Sequence, residues 1–145
     1  MSRQRDVDPR NIVPLHEVKR ERMDHLRELM RRMRLEGWAG RPLVVEETAP
    51  NRYQAWTGTH RLAAARRVGM RRVPVVLIDK DRWVRRWGQP RGLVVDAVRG
   101  GSDMRKYLRL LAAGDRLAAR VMHQEIEMNL GGDAQKCGVD AKPCL

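Results

Sequence analysis

The stretch that decides the fold is TGTHRLAAARRVG (57–69), followed directly by MRRVPVVLID (70–79). Its first half predicts a helix from about Thr59 to Val68, because an alanine-rich run follows the opening residues and Gly69 supplies a typical helix end. Most of the second half, RRVPVVLID, is an almost uninterrupted apolar run of strand length, which is typical of a central strand. The alanines give the helix a slim surface, so we expect it to lie close against the sheet.

Strands and another helix are predicted upstream of this stretch. NIVPLHEV (11–18) reads as a short extended piece, and the segment over 20–37 carries apolar residues at spacings of three and four, which predicts an amphipathic helix. RPLVVEE (41–47) and RYQAWT (52–57) predict two neighbouring strands joined by a turn. Residues 1–9 are polar and are expected to be frayed. The order of elements predicts an α+β protein built as a small α/β sandwich.

Beyond residue 80 the pattern changes to a basic helix, a candidate strand over 92–98, and two helices over 104–129 that are joined near Gly114. Ser102 or Asp103 is the expected cap of the first of these two helices. We therefore expect a domain over residues 6–80, a basic and mainly helical C-terminal extension over 81–130, and a flexible tail over 131–145.

Both cysteines of the chain, Cys137 and Cys144, fall in this tail. Two thiols without His or Cys neighbours fall short of a structural zinc set. No metal site is predicted, and we expect free thiols.

The composition restricts the classes of partner. A chain of 145 residues suits one compact domain with an appendage. The formal charge of +12 and the pI of about 11.1 favour anionic partners such as nucleic acid, nucleotides or an acidic membrane surface. The sequence has no apolar run long enough to span a membrane and does not start with the apolar stretch of a secretory signal. We therefore expect a cytoplasmic protein with no membrane partner.

Four residues at the start of the predicted alanine-rich helix have the chemistry to bind a phosphate. The first turn of a helix exposes unpaired N–H groups and the positive end of the macrodipole. Gly58 leaves room for a phosphate close to the backbone. Thr59 can cap the helix or donate from its hydroxyl, and His60 and Arg61 add further donors. Without other context, the same spacing also fits an ordinary cap followed by a solvated His-Arg pair.

A second candidate site lies in DRWVRRWGQPRG (81–92). Tryptophan rings four residues apart on a basic helix can stack on bases while the arginines contact phosphates. The candidate nucleic-acid-binding residues are Arg82, Trp83, Arg85, Arg86 and Trp87. The alternative is that the two tryptophans pack onto their own domain.

VVEETAPNRYQAWTGTHRLAAARRVGMRRVPVVLID (44–79) resembles the ParB/sulfiredoxin superfamily. In that superfamily a strand leads into a Gly-x-[His/Arg]-Arg turn that opens a helix, and an x-V-P-V strand follows. The upstream order agrees as well, so the resemblance covers about residues 6–80 and implies a ParB/sulfiredoxin-like fold. In ParB-type members the turn contacts the phosphates of CTP. Residues 58–61 occupy that turn here, with Thr59 in place of the family's glutamate.

Two enzymatic branches of the superfamily also resemble the chain in part. The sulfiredoxin turn reads Gly-Cys-His-Arg, and Thr59 stands at the position of the attacking cysteine, so sulfiredoxin chemistry is not expected. Free serine kinases carry a catalytic glutamate in a His-Glu pair, which PLHEV matches with His16 and Glu17. Glu17 is accordingly the candidate catalytic residue, able to accept a proton from an attacking hydroxyl or to help hold Mg²⁺. The kinase turn has an aspartate where this chain has Thr57.

The resemblance and the charge together predict a ParB-like protein of a phage, plasmid or mobile element that binds a nucleotide and is associated with DNA. The expected nucleotide is CTP or ATP, with Mg²⁺ as an optional companion. The alternative is a small-molecule kinase or nucleotide hydrolase that uses Glu17, so catalysis is left open. A third hypothesis is a scaffold without a working site. The Leu- and Met-bearing C-terminal helices offer a surface for a homodimer.

Overall fold

The chain alternates short strands and helices over the residues that the computed structural model describes, which are 3–38, 40–88 and 102–136. The strands are β1 (Gln4–Val7), β2 (Ile12–Val13), β3 (Leu43–Ala49), β4 (Arg52–Ala55) and β5 (Val73–Leu77). The helices are α1 (Met23–Glu36), α2 (Thr59–Val68), α3 (Lys80–Trp87), α4 (Asp103–Ala112) and α5 (Arg116–Lys136). This mixture confirms the predicted α+β class.

The interior strands of the sheet are β5, β3 and β4. The strand order is β1-β5-β3-β4-β2. β5 runs parallel to β3, with Leu43 opposite Val75, and antiparallel to β1. β3 and β4 form an antiparallel pair, and the short β2 lies parallel to β4. The prediction of a central strand in RRVPVVLID is confirmed, because β5 has a neighbour on each side.

Strand β1 lies where the sequence predicted frayed residues. Gln4 pairs with Val76 and Val7 pairs with Val73 in antiparallel register. The prediction of frayed residues was wrong for residues 4–7 because it was based on side-chain polarity, whereas an edge strand is held mainly by backbone hydrogen bonds. Val7 is buried and anchors the strand to the core.

The two faces of the sheet are covered by different helices. Successive residues of a strand point to opposite faces. Leu43 and Val45 of β3 belong to a core that also contains residues of α1 and α2. Val44, between them, belongs to a second core with Trp83 of α3 and Leu110 of α4. The C-terminal helices therefore cover one face of the sheet that α1 and α2 leave open.

Helix α2 lies close to the sheet, as the alanine run predicted. Ala64 and Ala65 are completely buried. The helix ends at Gly69, which has a left-handed conformation with φ +79° and bonds its N–H to the Arg66 carbonyl. A helix with small side chains on its inner face can approach a sheet closely. The first turn of α2 therefore lies beside the start of β3, where Leu43 packs against Gly58.

Helices α4 and α5 are joined by a sharp turn. The Ser102 hydroxyl caps α4 by accepting a hydrogen bond from the Arg105 N–H at 3.2 Å, which is the predicted cap. The chain turns at Gly114, whose φ of +79° favours glycine. The break predicted at this glycine is therefore present, and the two helices pack against each other and the sheet.

Some sequence predictions concern residues outside the described ranges. The candidate strand over 92–98 belongs to that part of the chain, and so do Cys137 and Cys144. Among the helices of the described residues, none is long and apolar enough to cross a membrane.

Candidate anion-binding site at the start of helix α2

Helix α2 begins directly after a glycine in a left-handed conformation. Gly58 has φ +77° and ψ +33°, and its carbonyl accepts a hydrogen bond from the Leu62 N–H at 2.8 Å. A Cβ atom on Gly58 would lie 2.1 Å from Cδ2 of Leu43 and 3.2 Å from Nη2 of Arg61. The sequence predicts that this glycine leaves room for a phosphate close to the backbone. The backbone conformation and the packing of Leu43 supply a second and stricter reason for it.

The start of α2 borders a cavity of about 510 Å³. Residues 57–61 line it together with side chains from α1, α4 and α5. The N-cap residue is glycine and provides no side-chain cap, so the first turn presents its N–H groups and the positive end of the helix dipole. The charged residues of the lining are Arg32, Arg41, Arg61, Lys106, Asp103 and Glu125. Four cations therefore face two carboxylates, and the cavity favours an anion.

Arg61 is almost completely buried, with only 8% of its surface exposed. Its guanidinium donates hydrogen bonds to the Glu125 carboxylate and to the Arg41 carbonyl. Its Cζ lies 5.7 Å from the centroid of the Trp38 ring. Burial, followed by the neighbouring charge of Arg41, lowers the pKa of Arg61 below its ordinary value. The charged guanidinium consequently needs an anion next to it, and Glu125 supplies one.

Glu125 of α5 joins two arginines through its two carboxylate oxygens. Oε1 accepts a hydrogen bond from Nη2 of Arg61, and Oε2 accepts one from Nη2 of Arg41 at 2.7 Å. The Glu125 side chain is 7% exposed. The predicted phosphate ligand Arg61 therefore lies at the cavity, but it contacts a carboxylate of its own chain.

Lys106 of α4 is a further buried cation at the cavity. It is 2% exposed, and its Nζ donates a hydrogen bond to the Trp56 carbonyl at 2.7 Å. Asp103 Oδ1 lies 3.8 Å from the same Nζ. Burial lowers the pKa of Lys106. The Nε1 donor of Trp56, which lines the cavity, has no hydrogen-bond partner, and neither does Nε of Arg41.

The other two residues of the predicted phosphate cradle, Thr59 and His60, also line the cavity. The His60 ring lies edge-on to the His25 ring with their centroids 5.4 Å apart, and its Nε2 has no hydrogen-bond partner. Burial, then the charges of His25 and Arg22, lowers the pKa of His60. His60 is therefore uncharged at neutral pH, where it can offer one donor to a ligand.

The predicted His-Glu pair is only partly at this cavity. His16 belongs to its lining, whereas the exposed Glu17 does not. The described residues also contain no group of three or more His, Cys, Asp or Glu side chains that could hold a metal ion. The catalytic role of Glu17 stays a prediction.

The two tryptophans of the second candidate site are neighbours on helix α3, with their ring centroids 6.3 Å apart, but they differ in burial. Trp83 is 1% exposed and packs edge-on against Trp56, with a centroid distance of 5.2 Å. It cannot stack on a base without leaving the core, so the expectation that Trp83 contacts nucleic acid does not fit its position. Trp87 is 37% exposed, its Nε1 donates to the Arg109 carbonyl, and the Arg86 guanidinium lies 4.1 Å from its ring centroid.

The arginines of α3 lie on its outer side. Arg82, Arg85 and Arg86 are all exposed. Asp79 receives hydrogen bonds from the Arg82 backbone N–H and side chain, and this caps the helix. Arg85 and Arg86 remain available to a polyanion on the surface.

Five charged residues of the cavity lining were absent from the predicted site: Arg32, Arg41, Asp103, Lys106 and Glu125. They belong to α1, to the segment before β3 and to the C-terminal helices. Glu125 is 64 residues from Arg61 along the chain. A local motif carries no signal for such a pairing, and the only available hint was the position of apolar residues in α4 and α5.

The chain belongs to the ParB N-terminal domain family, whose model matches residues 2–86. The α+β fold described above is the ParB/sulfiredoxin-like fold that the sequence predicted. A comparison with curated proteins found no match.

Solved structures of several proteins are similar to part of the chain. Sulfiredoxin from Arabidopsis thaliana has a TM-score of 0.43 and 23% identity over 51% of this chain and 82% of that one. The C-terminally truncated chromosome-partitioning protein ParB from Caulobacter crescentus, complexed with CTP-γ-S, has a TM-score of 0.43 and 19% identity over 82% and 71% of the two chains. A free serine kinase in complex with AMP has a TM-score of 0.44 and 18% identity over 52% and 31%. This chain spans about a third of the length of that kinase. It likewise covers 32% of the length of a conserved hypothetical protein from Pyrococcus furiosus.

Proposed function

We propose that the chain is a ParB-like protein that binds the phosphates of a nucleotide at the start of α2 and associates with DNA. Phosphate binding is supported by the cavity at the start of α2, where no side chain caps the helix and where Arg41, Arg61 and Lys106 converge. Helix N-termini bind anions through their free N–H groups and the macrodipole, and guanidinium groups match the geometry of phosphate oxygens.

The size of the cavity also fits a nucleotide. Its volume of about 510 Å³ falls within the range of roughly 300–1,000 Å³ that is usual for sites of small molecules and cofactors. CTP and ATP are the first ligands to test, and Mg²⁺ would enter with their phosphates. In this arrangement Thr59 and His60 would contact the phosphates from the first turn of α2.

The test uses Arg32, which lines the cavity from α1 and is exposed. Replacement of Arg61 would remove one of the two arginine partners of the buried Glu125, so a loss of binding could not be told apart from a loss of folding. Arg32→Ala avoids this problem, and Arg34→Ala is the matched control because Arg34 is an exposed arginine of the same helix outside the cavity lining.

Calorimetric titration with CTP, ATP, ADP and GTP in the presence of Mg²⁺ measures the affinity. We expect one nucleotide to bind, with about tenfold weaker affinity in Arg32→Ala, because one charge-assisted contact is lost. Arg34→Ala should bind like the unmodified chain. A bound nucleotide should also raise the midpoint of thermal unfolding. Absence of binding for all four nucleotides would refute the proposed function.

DNA association is supported by the exposed arginines of α3 and by the net charge of +12. Fluorescence anisotropy with a labelled duplex over a series of salt concentrations measures it. The double substitution Arg85→Ala and Arg86→Ala should reduce the slope of log K against log salt by about 1.8, or 0.9 per lost phosphate contact. The control, Arg34→Ala with Arg67→Ala, removes the same charge from α1 and α2, and an equal effect there would exclude α3 as the contact surface.

The enzymatic alternative rests on the position of His16 at the cavity, one residue before Glu17. If the chain is a kinase or hydrolase, Glu17→Gln should abolish nucleotide turnover and leave nucleotide affinity unchanged. Turnover by the unmodified chain that Glu17→Gln does not reduce would exclude this role. A homodimer through the C-terminal helices, a cytoplasmic location and an origin in a phage or mobile element stay predictions.

A further inference from the structure

One carboxylate of α5 occupies the position between the two guanidinium groups that would hold a phosphate. Arg61 comes from α2, Arg41 from the segment before β3, and each donates to a different oxygen of Glu125. The side chains of Glu125 and Arg61 are 7% and 9% exposed. Carboxylates and phosphates both accept paired hydrogen bonds from guanidinium groups. Glu125 therefore makes the contacts that an anionic ligand of this cavity would need.

An anion between the two arginines stabilises their charged forms, which burial disfavours. Charged groups that lose water on burial are strongly destabilising unless an opposite charge replaces the water. The proximity of Arg41 also disfavours the charged form of Arg61. A phosphate group supplies the same compensation as Glu125, so the two compete for one place.

We propose that Glu125 is an internal substitute for the phosphate of the ligand, and that a nucleotide binds by displacing this carboxylate together with the part of α5 that carries it. This inference rests on the proposed function. Binding then costs the Glu125 ion pairs, so the free chain has a lower affinity than its cations alone would provide. The position of this part of α5 therefore depends on whether a nucleotide is bound.

The way α5 is packed shows which part of it can move. Its N-terminal half is held in the second core by Ala118, Ala119 and Met122, which are all buried. Among the next three residues, Ile126 is half-buried, Glu127 is exposed, and Met128, which lines the cavity, is 60% exposed. The displacement is therefore expected from about residue 125 onwards, with the first turns of α5 remaining on the sheet.

The test compares Glu125→Gln with Glu127→Gln. Glutamine keeps the shape of the side chain at position 125 and removes its charge. Glu127 lies on the same helix, is exposed, and contacts His123 at 3.3 Å instead of the cavity. Affinities for Mg-CTP, Mg-ATP and inorganic pyrophosphate are measured by calorimetry on these two variants and on the unmodified chain.

We expect the affinity for nucleotide to rise about tenfold or more in Glu125→Gln, in line with the loss of a competing charged hydrogen bond, and to stay unchanged in Glu127→Gln. A nucleotide that binds the unmodified chain and Glu125→Gln with equal affinity, or binds the variant more weakly, would overturn the substitution model and leave the proposed function intact. Binding of pyrophosphate that tightens in Glu125→Gln without any binding of nucleotides would support the substitution model for an anion and refute the nucleotide function. Absence of binding of all three probes to all three proteins would overturn both.

A second measurement on the unmodified chain is independent of whether Glu125→Gln folds. Hydrogen exchange of the α5 amides is followed with and without saturating nucleotide. Faster exchange after residue 125 in the complex, with unchanged protection over 117–122, supports displacement of Glu125. Slower or unchanged exchange after residue 125 in a saturated complex would overturn it.

Discussion

Substitution of Gly58 by alanine is expected to destabilise the chain more than the same substitution at Gly69, although both glycines have nearly the same backbone conformation. Gly58 has φ +77° and ψ +33°, and Gly69 has φ +79° and ψ +30°. The left-handed conformation alone costs an alanine about 1–2 kcal/mol. At Gly69 no described residue other than its chain neighbours has an atom within 4 Å of the added Cβ, whereas at Gly58 the added Cβ would lie 2.1 Å from Leu43 Cδ2.

The contact with Leu43 adds a packing term at position 58 only. Leu43 is completely buried between the sheet and α2, so it cannot move away freely. Overpacking of a core typically costs about 1–3 kcal/mol. We therefore expect a loss of about 2–5 kcal/mol in the free energy of unfolding for Gly58→Ala and about 1–2 kcal/mol for Gly69→Ala.

Urea unfolding followed by tryptophan fluorescence measures both losses. The combination of Gly58→Ala with Leu43→Ala identifies the cause, because removal of the leucine side chain also removes the clash. The double variant should be more stable than the sum of the single losses predicts, by about 1–3 kcal/mol. Equal losses at positions 58 and 69, or additive losses in the double variant, would refute the assignment of Gly58 to packing against Leu43.

Two further predictions concern buried aromatic and titratable groups. Trp83→Ala should lower the free energy of unfolding by about 3–5 kcal/mol, as is usual for a fully buried tryptophan. Trp87→Ala should lower it less, because this ring is 37% exposed. Equal losses in urea unfolding would contradict the placement of Trp83 in the core. Burial lowers the pKa of His60 below 6.5 in the folded chain, so the unfolded chain binds the proton more tightly and stability must fall as the pH drops through about 6.5. In His60→Gln the loss of stability between pH 7.5 and pH 5.5 should be smaller than in the unmodified chain. An unchanged pH profile in His60→Gln would show that another group is responsible.

The elements that the sequence predicted correctly are those with a strong local pattern. The alanine run and the apolar run after it specify α2 and β5 without any knowledge of the remaining chain. Their positions next to each other follow from a helix with a slim face and a strand that must be covered on both sides. The start of α2 was therefore identified as a candidate site from its own residues.

The parts that the sequence did not predict depend on residues far apart in the chain. β1 forms because β5 offers an unpaired edge, and the polar side chains of β1 gave no sign of it. The anion next to Arg61 is Glu125 of α5, which is 64 residues away along the chain. Its position depends on how α5 packs in the folded protein, and no local sequence pattern specifies that. Trp83 was a candidate for stacking on bases, with packing onto its own domain as the alternative, and its ring packs against Trp56 as in that alternative.

The cavity has a floor and a roof of different origin. The floor is the turn at the start of α2, within the residues that match the family model, and the roof consists of α4 and α5, which follow that region. Lys106 and Glu125 belong to the roof, so the charge that a ligand meets there is set by helices that lie outside the residues matched by the family model. Ligand preference in this chain can therefore change through substitutions in two helices, while the strands and the first turn of α2 stay as they are.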